Sequence, residues 1–163
     1  MTNDFEKELR LNLEEVFQNA RTHGKCEYIF VCGQSFYKSK KVKFTIVDLG
    51  KTIPENVRSK IGESIDDKDS IEWATKDGNS TKTDVSGGIG LYQLSEFLKE
   101  NSGKLQIISS HGYWEQNGDS ITRRNLYQPF YGTIVSIEVN INNKIYLSTE
   151  EKNNLNLVIN DIF

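Results

Sequence analysis

Residues 41–48 alternate along an extended chain: Val42, Phe44 and Ile46 fall on one side, and Lys41, Lys43 and Thr45 fall on the other. Residues 133–139 repeat the device, with Thr133, Val135, Ile137 and Val139 sharing a face. Strands of this kind make a sheet with one face to bury, and that face requires a second layer. The N-terminal segment supplies one. On a helical wheel, Leu9, Leu13, Val16, Phe17 and Ala20 form a stripe opposite Lys7, Arg10, Glu14, Gln18 and Arg21. The pattern predicts a helix over 4–23, with Asp4 as its cap and Gly24 as its stop.

Strands are expected over 26–32 and 41–48, joined by a loop over 33–40. Short helices are expected over 55–62 and 70–76, the second capped by Asp69, followed by a polar loop over 77–86. Gly87-Gly88-Ile89-Gly90 opens a further helix reaching about residue 101, with Leu91, Leu94, Ser95 and Leu98 on one stripe. A strand over 104–110, a polar and aromatic stretch over 111–131 read as a second hairpin excursion, and the strand at 133–139 complete the order. The succession implies an α/β (α+β) two-layer sandwich, and its hairpin-like neighbours imply a mixed sheet.

The chain has 163 residues, which suits one domain, and a formal net charge of −3, which leaves no large basic surplus and makes nucleic acid a poor default partner. No apolar run is long enough to span a membrane, so a cytoplasmic protein is expected. The domain is assigned to 1–142. Residues 143–163 form a C-terminal extension whose end is apolar (Leu155, Leu157, Val158, Ile159, Ile162 and Phe163), a candidate docking segment. Cys26 and Cys32 alternate in an expected strand, so they should share a face as reduced thiols.

Three places carry possible chemistry. Asn12, Glu15, Asn19 and His23 line the flank of the first helix between its core and solvent faces. Such a flank is either simply solvated or a pocket wall, where Asn19 offers a hard oxygen to Mg²⁺ and Glu15 stands one turn back as a base. His23 either touches phosphate or caps the helix dipole. Asp48 falls on the apolar face of its strand, where a carboxylate needs a donor such as a purine amine, or else forms an Asx turn with Gly50. The glycines at 87–90 stand at a helix start, as a phosphate loop or a hinge, and Lys76, Ser80, Thr81 and Lys82 precede them as a lid or a solvated surface.

Taken in order, these residues resemble the Bergerat-fold ATPases, the superfamily of gyrases, heat-shock chaperones, histidine kinases and mismatch-repair proteins. Glu15-Val-Phe-Gln-Asn19-Ala20-Arg-Thr-His23-Gly24 resembles the N box, closest to that of anti-sigma-factor serine kinases. Asp48-Leu-Gly50 resembles the first glycine box, and Ser80-Thr81-Lys82 with Gly87-Gly88-Ile89-Gly90-Leu91 resembles the lid and second glycine box. Gly132-Thr133 resembles the final motif. The first box lacks its usual second glycine, since Thr52 follows Lys51.

The resemblance implies a Bergerat-type mixed sheet covered on one face by helices, holding ATP and Mg²⁺. Asn19 would coordinate the metal, Glu15 would be the general base and Asp48 would accept from the adenine amine. Gly50 would admit the base close to the backbone, Gly88 and Gly90 would wrap the phosphates, and Thr133 would join the Asp48 network. Lys51 would contact phosphate, and His23, Ile53, Thr81, Gly87, Ile89 and Leu91 would complete the nucleotide site. The implied function is phosphotransfer or switching on a protein partner, a phospho-acceptor or a regulator. An ATP-driven dimer clamp or a non-catalytic binding module is the alternative.

Overall fold

The computed structural model describes residues 2–62, 64–79 and 90–141. Helix α1 covers Thr2–Asn19 and continues as a π-helical turn over Ala20–Gly24. Strands β1 (Ile29–Phe36) and β2 (Lys41–Asp48) follow, then helices α2 (Ile53–Ile61), α3 (Asp67–Ala74) and α4 (Gly90–Glu100). Strands β3 (Lys104–Asn117) and β4 (Ser120–Asn140) close the described chain. The sheet order is β1-β2-β4-β3.

The result is a two-layer α+β sandwich. Leu9, Leu13 and Val16 of α1, Ile71 of α3, and Leu94, Phe97 and Leu98 of α4 bury against Val42, Phe44, Ile46, Leu105, Ile107, Val135, Ile137 and Val139. The stripe expected on α1 is the one buried, with Phe17 half-buried at its margin. The alternate sheet residues lie on the opposite face, half-buried or exposed.

Several local expectations are corrected. Every described strand pair is antiparallel, not a mixture of directions. Helix α1 starts at Thr2, so Asp4 lies within it and is no cap. The polar run from Gly33 belongs to β1, because its backbone pairs with β2 from Ile29↔Asp48 to Phe36↔Lys41, and cross-strand pairing overrides weak local propensity. Cys26 therefore precedes the strand, its Sγ donating to Ala20 O at 3.3 Å, while Cys32 is exposed on the sheet, and the two do not share a face. Thr52, accepting from Glu55 N at 3.2 Å, starts α2 earlier than expected, with Pro54 in its first turn. Asp66 and not Asp69 stands at the cap position of α3.

The excursion at 111–131 is β-structure. Gln106 Nε2 donates to Tyr113 Oη at 3.1 Å, and Lys104 pairs with Glu115 at 3.0 Å. A straight strand would hold such partners more than about 20 Å apart, so β3 folds back beside itself. The fold-back falls where the β3–β4 register shifts, at Ser110, whose φ is 52°. The returning limb fastens the helices: Trp114, 1% exposed, donates to Glu72 of α3, and Gln116 Nε2 donates to Ser95 O of α4 at 2.9 Å. Asp67, buried at the start of α3, accepts from Arg58 of α2 and from the His111 N–H at 2.8 Å. Burial pushes its carboxyl up, but hydrogen bonds from Ser110, the His111 N–H and Arg58 together outweigh this and hold it below the usual carboxylate range.

Candidate functional site

Between α1, α2, α3, the start of α4 and the core face of β2 and β4 lies a cavity of about 820 Å³, counting the part open to solvent. Glu15, Asn19, His23, Asp48, Lys51, Ile53, Gly90, Leu91 and Thr133, all singled out in the sequence, line it. Ile46, Val135, Val16 and Val57 supply apolar wall between the polar groups. An apolar pocket with a few convergent polar groups is the usual form of a small-molecule site.

The α1 wall depends on how that helix ends. Glu15 and Asn19 stand one turn apart, and the chain then widens into the π-helical turn that carries His23 to the same cavity. Thr22 Oγ1 donates to Gln18 O at 2.7 Å, and the Cys26 thiol donates to Ala20 O, so side chains occupy carbonyls that the changed pitch leaves open. Lys25, in the left-handed region at φ 51°, ends the turn. Asn12, on the same flank in the sequence, instead donates to Glu8 O at 2.9 Å and is not part of the wall.

Asp48 is the buried acid of the cavity, 6% exposed. Gly50 N donates to its Oδ1 at 2.9 Å, which is the Asx turn that an Asp-x-Gly sequence permits. Burial pushes the Asp48 carboxyl above its ordinary range, and the Gly50 bond offsets this in part. The chain closes tightly around this residue. A Cβ on Gly50 would sit 2.1 Å from Gly24 O, the carbonyl that accepts from Lys51 N at 2.7 Å. A Cβ on Gly132 would sit 2.0 Å from Asp48 O. Gly50 thus serves a backbone crossing, and it does not line the cavity.

Thr133 pairs with Asp48 across β2 and β4, and with Ser109 across β4 and β3. Ser109 was not foreseen. Its Oγ donates to Gly132 O at 2.9 Å, accepts from Ile53 N at 2.9 Å and lies 3.0 Å from Thr133 Oγ1. A hydroxyl has one proton, so with Ser109 committed to Gly132 O the third bond is donated by Thr133. That leaves Thr133 lone pairs beside Asp48. The buried hydroxyl has the partner that its apolar face demanded.

Gly90 opens α4 against Glu15. A Cβ there would fall 2.0 Å from Glu15 Cγ and 2.5 Å from its Cδ, so the missing side chain is what lets the acid lie in its present place. Lys51 lines the cavity while pairing with Glu55 at 3.4 Å, an exposed contact that a bound anion can replace. Thr81, Gly87, Gly88 and Ile89, with Ser80 and Lys82, lie outside the described residues, as do residue 142 and the extension over 143–163.

Asn56, Trp73, Ala74 and Asn79 also line the cavity and were not singled out as site residues. Trp73 is half-buried there, whereas Trp114 is the core tryptophan. Asn56 and Asn79 are tied down by Nδ2 bonds to His23 O at 3.2 Å and Trp73 O at 2.8 Å. His111 is exposed, its Nδ1 3.0 Å from Leu126 O, and Arg123 pairs with Asp69 at 3.0 Å, both away from the cavity.

Among the described residues no cluster of three or more His, Cys, Asp or Glu could hold a metal by itself. Among them, too, no helix is long and apolar enough to cross a membrane. No protein-family model matches the chain, and no curated protein matches it. The geometry of the cavity therefore carries the functional argument.

Proposed function

We propose that the chain binds Mg-ATP in this cavity, in the manner of the Bergerat-fold ATPases, and acts as a phosphotransfer or switch module on a protein partner. The observation that carries the reading is the disposition of Asp48. A carboxylate kept 6% exposed on an otherwise apolar floor carries a desolvation cost that the Gly50 N–H offsets in part, and a ligand that donates to it offsets further. A purine amine does so while its ring lies on Ile46, Val57 and Val135, which share the cavity with Asp48. An acceptor hydroxyl such as Thr133 beside the acid adds a second polar contact for the base or a bridging water.

At the other end, Asn19 and Glu15 stand on the α1 wall. In this reading Asn19 would offer its side-chain oxygen to Mg²⁺, a hard cation that keeps waters and needs no cluster of protein acids. When bound, the ion would supply charge neutralisation for the phosphates. Glu15 orients or deprotonates the attacking water or hydroxyl, and Lys51 exchanges Glu55 for phosphate. The partner would bring the phospho-acceptor.

Calorimetry with ADP and a non-hydrolysable ATP analogue, with and without Mg²⁺, tests the reading. Saturable binding that weakens without Mg²⁺ and is lost in Asp48→Asn supports it. Absence of binding to the full chain refutes it.

A further inference from the structure

Ser109 lies behind the cavity, 0% exposed and not part of its wall, and every position around its Oγ is filled. One lone pair takes the Ile53 N–H at 2.9 Å, and the proton goes to Gly132 O at 2.9 Å. Thr133 Oγ1, at 3.0 Å, meets what remains. A hydroxyl has one proton and two lone pairs, so what remains is an acceptor. Turning the Ser109 proton to Thr133 instead would take this donor from Gly132. That residue is buried and stands outside both strand ladders, where a carbonyl without a donor is costly. Thr133 therefore donates to Ser109, and its proton points out of the cavity.

The consequence falls on the cavity floor. Thr133 stands opposite Asp48 across β2 and β4, and both line the cavity. With the Thr133 proton held behind, this polar corner offers a ligand only acceptors: carboxylate oxygen and hydroxyl lone pairs. A water bridging the two changes nothing, because it gives one proton to each and keeps only lone pairs for the ligand. We infer that Ser109 sets the base selectivity of the site, making this corner accept only, so that it admits a 6-amino purine and rejects a 6-oxo purine. The inference deepens the nucleotide reading and rests on it. Adenine donates through its 6-amino group, whereas hypoxanthine and guanine set a carbonyl oxygen there, facing acceptors with no proton between them. A site built around such a bond rejects the analogue that lacks it far more strongly than an apolar pocket does. Ser109 touches no ligand and is a positioning residue that acts through Thr133.

The test is calorimetric titration of the full chain with Mg-ADP and Mg-IDP. Hypoxanthine carries the 6-oxo group without the 2-amino group of guanine. The proteins are wild type, Ser109→Ala, Thr133→Val and Ser109→Ala/Thr133→Val. The readout is the ratio of the IDP to the ADP dissociation constant. General loosening of the pocket weakens both nucleotides, whereas a freed Thr133 proton favours IDP alone. The expected wild-type ratio is about 100 or more, falling about tenfold in Ser109→Ala through a gain in IDP affinity. The double variant has no proton to free and should show the ratio of Thr133→Val. Ser109→Cys fills the same space with a poor acceptor, and it takes the place of Ser109→Ala if that protein does not melt cooperatively. A wild type that binds ADP and IDP alike would overturn the inference. So would an unchanged ratio in the Ser109 variants, or a fall that the double variant shows beyond that of Thr133→Val. Each of these leaves nucleotide binding standing, whereas a wild type that binds neither nucleotide overturns both readings.

Discussion

The contact between Gly90 and Glu15 offers a test in which stability and activity must move together. Gly90→Ala places a Cβ 2.0 Å from Glu15 Cγ and 2.5 Å from Cδ and Oε1, far inside the ~3.5 Å of a normal carbon contact. The nearest atom is Cγ and not the end of the chain, so Glu15 must leave its rotamer altogether. Forced rearrangement of this kind costs on the order of 1–3 kcal/mol, a fall of roughly 2–4 °C in Tm per kcal/mol for a chain of this size. Glu15→Ala removes Cγ, Cδ and both oxygens, and with them the clash. The double variant Gly90→Ala/Glu15→Ala should therefore recover most of the stability lost by Gly90→Ala, a coupling of at least about 1 kcal/mol in the restoring direction. Turnover should show the opposite pattern. If Glu15 is the base, Gly90→Ala and Glu15→Ala should each lower phosphate release roughly 10²–10⁴-fold, and the double variant should be no worse than either. Calorimetric melting and single-turnover ATP assays provide the readouts. Additive stability losses, or a Gly90→Ala protein with full turnover, would refute the argument.

Asp48→Asn should abolish nucleotide binding yet raise the Tm of the unliganded protein by about 2–4 °C, since it removes a desolvated charge at the loss of one charge-assisted bond to Gly50. The folded pKa of Asp48 is raised, so its contribution to stability is present below the unfolded pKa and is lost as pH rises through the folded one, and chemical denaturation across pH should show this slope vanish in Asp48→Asn. Asp67 has the reverse sign: its folded pKa is lowered, so its contribution is lost as pH falls through that value, and Asp67→Asn should cost about 2 kcal/mol at neutral pH and progressively less in acid. Asn19→Ala should weaken Mg-ATP binding about tenfold or more while leaving metal-free binding nearly unchanged, as titration with and without Mg²⁺ would read. Trp73 should report occupancy, with nucleotide changing its fluorescence, and Trp73→Phe should remove the signal while Trp114 stays silent in the core.

The parts of the fold that were legible in the sequence are those whose signal is local. The stripe on α1 and the alternation in β2 each follow from the spacing of neighbouring side chains, and each is realised, whereas the helical turn runs through the expected stop at Gly24 and ends at Lys25. The fold-back of β3 was not legible, because nothing near Ser110 but a single residue at positive φ marks it. What holds the returning limb is tertiary: Trp114 on Glu72, Gln116 on Ser95, and the His111 backbone on Asp67. Strand β1 was misplaced for the same reason, since the pairing that recruits Gly33 to Phe36 belongs to β2 and not to those residues.

The same division runs through the site. Glu15, Asn19 and His23 could be read together because a helix sets their spacing, and Asp48 because a strand sets its face. Ser109 could not, although it anchors both sides of the Asp48 floor, because its role depends on three chain segments meeting. Its hydroxyl ties the first residue of α2 to the carbonyl of Gly132 and to Thr133, while Gly132 lies against the Asp48 carbonyl. A parity argument could have pointed to it, for Ser109 shares a face with Leu105 and Ile107 and is a buried hydroxyl among apolar residues, as Thr133 is on β4. Two hydroxyls on apolar faces, each requiring a partner, satisfy one another when their strands are adjacent. Applied to both strands at once, the rule that identified Thr133 also yields the register between them, Ser109 opposite Thr133.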